Sequence, residues 1–204
     1  MSATNRDVFI NCPFDPEYKN FFYAIVFVVI RSGFRARSAL EVDDASQIRF
    51  EKICNIIAEC RYGIHDISRT ELDPQHNLPR FNMPLELGVF LAAKRFGIKA
   101  QKLKRCIVLD KRRYRYQRYI SDIAGQDIHS HEGKQALLIE ELATWLRNQS
   151  HSKNVPGGRR MAREFDSFRR KIPRICAQRN LHPDELTFGD YAEMVVEYLG
   201  VTAA

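Results

Sequence analysis

The sequence predicts an α/β protein: a mostly parallel five-stranded sheet covered by helices on both faces, followed by a C-terminal helical extension. Three observations predict it. Short β-rich runs alternate with longer, helix-spaced segments four or five times over residues 1–148, and strands linked by helical crossovers lie parallel. The longest apolar run, FFYAIVFVVI (residues 21–30), is too short for a bilayer, which needs about 20 residues, and reads as a buried helix. The composition, 45% hydrophobic and 28% charged over 204 residues, suits one globular domain of about 150 residues with a small addition.

Taken in order, DVFIN (7–11) is the first strand, ended by Pro13 and Pro16. A helix over 17–32 closes at Gly33, and RARSAL (35–40) is the second strand. After the acidic loop EVDDAS, Ser46 is placed to cap a helix running to about Cys60, with Ile48, Ile53, Ile56 and Ile57 on its apolar face. YGIHDIS (62–68) is the third strand. A loop over 69–81 leads to the helix of RFNMPLELGVFLAAKRFG (80–97), where Asn82 is the expected N-cap and Leu85, Val89, Ala92 and Ala93 form the expected apolar face. RCIVLD (105–110) is the fourth strand, 113–124 a Tyr-rich turn or short helix, and QDIHSH (126–131) the fifth strand. A helix over 133–148 turns Leu137, Leu138, Leu142, Trp145 and Leu146 inward. NVPGGRR (154–160) reads as a linker between a domain of residues 1–150 and an extension of residues 151–204. The extension carries two helices, parted by a turn at His182–Pro183, that are too small to fold alone and pack on the main domain or in an oligomer interface.

In a parallel sheet with right-handed crossovers, the loops after the strands share one edge, where ligands bind. That edge collects Asn11, Phe14 and Asp15 after the first strand, and Glu41, Asp43 and Asp44 after the second. It then collects Asp66, Ser68 and Arg69 after the third, Arg80, Asn82 and Glu86 from the next loop and helix, and Asp110, Asp122 and Asp127 beyond the fourth. Together they describe a polar small-molecule site. The chain has no GxGxxG, GxxxxGK[ST] or GxSxG motif, which disfavours a glycine-rich dinucleotide loop, a phosphate loop and a nucleophile elbow. Five irregularly spaced cysteines without a CxxC pair argue against a disulfide framework or structural zinc, and point to a reducing, cytoplasmic setting. His129 and His131 form an HxH without carboxylate support in sequence, a weak metal signal, so neither a metal nor a cofactor is expected. No signal peptide or membrane span is legible, and no membrane partner is expected.

The net charge of +7 is uneven. Residues 94–118 hold eleven Lys or Arg against one Asp, which fits nucleic acid, a phosphate-bearing ligand, an acidic partner or simply a solvated basic face. Glu86 poses the sharper question. An acid in the first turn of a helix is either a carboxylate stabilised by the helix dipole or a reactive group that the same field keeps ionised. Asp66 likewise reads as a site acid or a loop-capping aspartate. Phe9, Ile10 and Phe81 read as core.

DVFINCPFD, RYGIHDIS and FNMPLELGVFLA resemble the bacterial TIR-like proteins and the neighbouring nucleoside 2-deoxyribosyltransferase group. The resemblance covers about residues 6–148 at three places. It implies a flavodoxin-like fold and cleavage of an N-glycosidic bond, in NAD or in nucleosides, by one glutamate. It puts Glu86 in the catalytic position, Asp66 at the acid that ends the third strand, and Asn11 with Phe14 in the substrate loop. It further implies homotypic assembly and a role as a toxic effector in bacterial defence. PRFNMPLE stands where TIR NADases usually carry a serine-rich segment, and neither KRRYRYQRYISDIAG nor the extension has a counterpart. On chemical grounds, a carboxylate beside the anomeric carbon stabilises the positive charge that develops there, or attacks it. Asp15 or Asp66 would orient a ribose hydroxyl and Phe14 would stack on a base, while Ser68, Arg69 and Asn82 complete the candidate substrate-binding set. The alternatives are a non-catalytic nucleotide-binding or assembly module, and nucleic-acid binding through residues 94–118.

Overall fold

The computed structural model describes residues 5–41, 44, 46–72, 77–150 and 154–201; Asp43, one of the strand-end acids, lies outside them. In chain order the elements are β1 (Asp7–Asn11), α1 (Lys19–Arg31), β2 (Arg35–Ser38), α2 (Arg49–Glu59), β3 (Tyr62–Asp66), α3 (Asn82–Phe96), β4 (Arg105–Asp110), β5 (Ile128–Ser130), α4 (Gln135–Ser150), α5 (Gly158–Gln178) and α6 (Phe188–Leu199). The sheet runs β2-β1-β3-β4-β5, and every neighbouring pair is parallel. This is the flavodoxin-like order, and it bears out the predicted fold class. Among the described residues no helix is long and apolar enough to cross a membrane.

Strand alternation divides the core. Val8, Ile10, Ile64, Ile107 and Leu109 face α1 and α4, while Phe9 and Val108 face the α2 and α3 side. Helix α1 is buried without interruption from Ala24 to Ile30, and a helix apolar all round needs cover on every side. The sheet covers one side and the extension covers the other. Phe27 stacks on Phe168 with ring centroids 5.5 Å apart and meets Phe165 edge-on, and Tyr23 stacks on Tyr191 at 3.9 Å. The apolar residues of α5 (Met161, Phe165, Phe168, Ile172 and Cys176) recur three or four apart and are buried together. Gly158, expected in a linker, is the first residue of α5, and a Cβ there would lie 2.6 Å from the Glu140 backbone. That contact lets α5 approach α4. Thr187 and Asp190 close a capping box on α6, and Gly200 ends it with φ of 61°.

Several boundaries differ from expectation. Strand β2 stops at Ser38, where the Glu41 amide donates back to the Ser38 carbonyl. Ser46 does not cap α2; its amide and hydroxyl both donate to Asp44, the helix starts at Arg49, and Ile48 is exposed rather than part of the apolar face. Residues 113–124 form two 3-10 turns, Arg115–Arg118 and Ser121–Ile123. Asn82 is the first residue of α3 and makes no side-chain cap. Phe81, read as core, is exposed.

Lys104 is the least expected core residue. It is buried, its ammonium donates to the Ile57 carbonyl at 2.5 Å and to the Cys60 carbonyl, and it stands 4.7 Å over the Phe90 ring. A cation here satisfies the last carbonyls of α2 and complements its dipole. Lys104→Met keeps the stem but orphans those acceptors. It is expected to lower stability by about 1–3 kcal/mol, measured by urea denaturation against a Lys102→Met control.

Candidate functional site

From β1 the chain crosses to β2 on one side of the sheet, whereas β3 and β4 lie on the other. The crevice beyond the C-terminal ends of β1 and β3 is therefore the topological switch point, the ligand position of such sheets. Asn11 and Cys12 enter it from β1, Asp66 to Ser68 from β3, and the first turns of α3 stand behind them.

Asn11 ties these parts together. Its buried amide nitrogen donates to the Met83 carbonyl at 2.8 Å and lies 3.0 Å from His65 Nδ1. The amide has only protons to give, so Nδ1 is the acceptor and the His65 proton sits on Nε2. Burial, aided by the Lys104 charge, pushes His65 down to about 3, so the ring is neutral. It packs edge-on to Phe90 at 4.9 Å. Gly63 makes room for this pair, because a Cβ there would lie 2.6 Å from His65 Nε2 and 2.9 Å from the Phe90 ring. Gly63→Ala is expected to cost about 1–3 kcal/mol by overpacking, read from the denaturation midpoint. Asn11 thus anchors the start of α3.

Asp66 is fully buried and has three partners. The Tyr18 hydroxyl donates to Oδ2, the Ser68 amide donates to Oδ1 at 2.8 Å, and His131 Nε2 lies 3.2 Å from Oδ2. The Gly133 amide donates to His131 Nδ1, which leaves the ring proton on the nitrogen facing Asp66. Burial alone would raise the Asp66 carboxyl, but His131, Ser68 and Tyr18 outweigh it and hold the group below the usual carboxylate range. The HxH pair is divided: His131 serves Asp66, whereas His129 pairs with Glu141 at 2.6 Å. Among the described residues no group of three or more His, Cys, Asp or Glu is arranged to hold a metal.

Glu86 stands one turn beyond Met83, on the same side of α3. Only 7% exposed, it has no hydrogen-bond or ion-pair partner among the described residues. The inward face of α3 is Met83, Glu86, Leu87 and Phe90 rather than the one expected from Leu85, which is exposed. Burial pushes the Glu86 carboxyl up to about 7, offset in part by the Arg49 charge. The helix field was expected to keep it ionised; desolvation is the larger effect. Its charge also reaches Cys12, a thiol that burial and then Asp66, Glu86 and Asp15 drive well above its ordinary value. Cys12 therefore stays neutral.

The remaining predicted residues lie around the rim. Asp15 accepts from the Tyr18 amide and lies 3.4 Å from Arg69 Nε; Arg69 also reaches Glu17 at 2.8 Å. Phe14 packs edge-on against Phe22 at 5.3 Å. With Asp15, Lys19, Leu40, Leu186 and Phe188 it lines a cleft of about 450 Å³, one wall of which comes from the extension. Asn82 is exposed at the start of α3. Asp110, buried at the end of β4, binds the Arg115 guanidinium, which also donates to the Ser68 carbonyl and Thr70. The single Tyr119 hydroxyl proton faces two acceptors, the Ile67 carbonyl at 3.0 Å and Asp110 Oδ2 at 3.1 Å. This strap holds the Tyr-rich segment over the sheet edge. It also divides the basic stretch, because residues 94–104 precede β4 and 111–118 follow it, at opposite ends of the strand.

Tyr18, His65, Lys104 and Arg115 escaped the sequence reading, and His131 entered it only as half of a weak HxH metal signal. For Arg115 and His131 the strand-end rule carried a signal, since each follows a strand. The others had none. No protein-family model and no curated protein matches the chain.

Proposed function

We propose that the protein hydrolyses the N-glycosidic bond of NAD or a related nucleotide or nucleoside, with Glu86 as the reacting carboxylate. The observation that carries this reading is the state of Glu86: a nearly buried acid without a partner among the described residues, its carboxyl raised to about 7, behind the switch point of a flavodoxin-like sheet. A structural carboxylate is paired, hydrogen-bonded or exposed; one that is none of these suits a charge that arrives with substrate. As the bond to the base breaks, positive charge builds on the ribose. Ionised Glu86 would stabilise it or bond to the anomeric carbon. Water supplies hydroxide to that carbon and releases a proton, and the base departs with the bonding pair; nicotinamide leaves as a neutral molecule.

In this reading Asn11 positions the reacting group, because its amide nitrogen holds the Met83 carbonyl one turn before Glu86, while Asp66, engaged with Tyr18, Ser68 and His131, holds the strand-end loops together. Asp15, Arg69 and Asn82 at the rim would take ribose and phosphate, and Phe14 a base. The test is to incubate the protein with NAD and a nucleoside panel and to quantify free nicotinamide or base. Release that Glu86→Gln abolishes supports the reading; no release from any of them, or equal release by the variant, refutes it.

A second reading, a homotypic assembly module of the kind that serves in defence signalling, rests on a different observation. Ile48, Phe50, Phe81 and Leu85 are all exposed at the N-terminal ends of the neighbouring helices α2 and α3. Concentration-dependent sedimentation that Phe81→Ser and Leu85→Ser abolish would favour it.

A further inference from the structure

The far end of α3 carries a second surface that the proposed reaction does not use. We infer that residues 94–103 form a docking site for the surface of an anionic phospholipid bilayer. Phe96, Ile98 and Leu103 are 84%, 74% and 48% exposed, and Lys94, Arg95, Lys99 and Lys102 stand exposed among them. None of these four cations has an ion-pair partner among the described residues. The sequence has no acid from Leu87 to Leu109. The nearest acid of the adjoining helix end, Glu59, is engaged by Arg37.

The protrusion is built rather than frayed. The Gly97 amide donates to the Ala93 carbonyl, the Gln101 amide to Ile98, and the Gln101 side chain to the Ala58 carbonyl at 2.9 Å. A Cβ on Gly97 would lie 2.4 Å from the Ala93 oxygen. Lys104 pins the following residue inside the core. The chain thus fixes three large apolar side chains in water on a short segment that also carries four exposed cations.

Charge decides between the possible occupants. Four unpaired cations oppose a second copy of the same face. Double-stranded nucleic acid would satisfy the charge but give Ile98 and Leu103 little to bury. A bilayer satisfies both, because lysines meet the anionic headgroups while apolar tips enter the acyl boundary. Helix α3 rises about 1.5 Å per residue, so the ten steps from Glu86 to Phe96 separate the two ends by about 15 Å. Docking would leave the switch point facing solution. This is contact with the bilayer surface, and it departs from the expectation of no membrane partner, which considered only a spanning segment.

The test is cosedimentation of the full chain with vesicles of phosphatidylcholine alone and of phosphatidylcholine mixed with phosphatidylserine. Binding is expected only to the mixed vesicles and should weaken as salt rises. Lys99→Gln and Lys102→Gln should each lower affinity about fivefold, and Phe96→Ser with Ile98→Ser should abolish binding at an unchanged melting midpoint. Equal binding to both vesicle types, no binding to either, or an affinity indifferent to these substitutions overturns the proposal. So does loss of double-stranded DNA binding, or of a dimer, in the Phe96→Ser, Ile98→Ser protein where vesicles never bound.

Discussion

Glu86→Gln is expected to make the protein more stable above about pH 7 while removing its glycosidic turnover. The sign follows from burial. The Glu86 carboxyl sits at about 7 in the folded chain against an ordinary 4.5, so the native state holds its proton more tightly than the unfolded one. The stability this proton contributes is fully present below pH 4.5 and is lost as pH rises through 7. The full shift corresponds to about 3 kcal/mol, which is the penalty that the wild-type protein carries at pH 8 and the glutamine variant does not. Urea denaturation of both proteins across this range should show curves that converge in acid and diverge with the variant on top. An ordinary acid favoured by the helix dipole gives the opposite result, a loss of about 0.3–1 kcal/mol on substitution. The activity arm is independent. If Glu86 attacks or stabilises the anomeric carbon, turnover falls on the order of a thousandfold or more while the fold persists. A variant that is less stable at high pH and retains full turnover would return Glu86 to a structural role.

Removal of the extension is expected to abolish folding. A chain ending at residue 156 would expose the outer side of α1, where Phe27 meets Phe165 and Phe168 and Tyr23 stacks on Tyr191. Each fully buried large apolar side chain contributes about 1.5–3 kcal/mol, so losing cover over several of them exceeds the roughly 5–15 kcal/mol by which domains are stable. The truncated chain should be insoluble, or soluble only as an ANS-binding species without cooperative melting. A milder lesion gauges the same interface: Phe168→Ala should cost about 3–5 kcal/mol. Protease nicking at Gly157–Gly158 should leave the two fragments associated. A soluble fragment of residues 1–156 with a sharp thermal transition would show that the α/β layer stands alone.

How much of this was legible follows from the kind of pattern each element carries. FFYAIVFVVI announced a helix buried on all sides, and that alone required a second covering layer, which the extension supplies. The strands were legible because each short β-rich run is bounded by turn residues or a helical segment. The face of α3 was not legible. Met83, Leu85, Leu87, Val89, Phe90 and Leu91 point in every direction around it, so periodicity had nothing to choose between. The choice fell to Phe90, which must fill the space made by Gly63 against His65 and Lys104. That rotation carries Glu86 inward and leaves Leu85 in water.

The sequence by itself determined the alternation of strand and helix, the parallel sheet, and the gathering of polar residues at one edge, because hydrophobic period and the handedness of crossovers are properties of the chain. Only the tertiary structure decided which of those polar residues are spent on one another. Asn11, Asp66 and Asp110 look alike in sequence as strand-end groups, yet Asn11 and Asp66 are consumed by partners brought from distant segments and Asp110 by Arg115 and Tyr119 of the loop that follows it, while Glu86 is left without a partner among the described residues. Where pairing depends on neighbours 54 residues away, as between Asn11 and His65, local sequence carries no record of it.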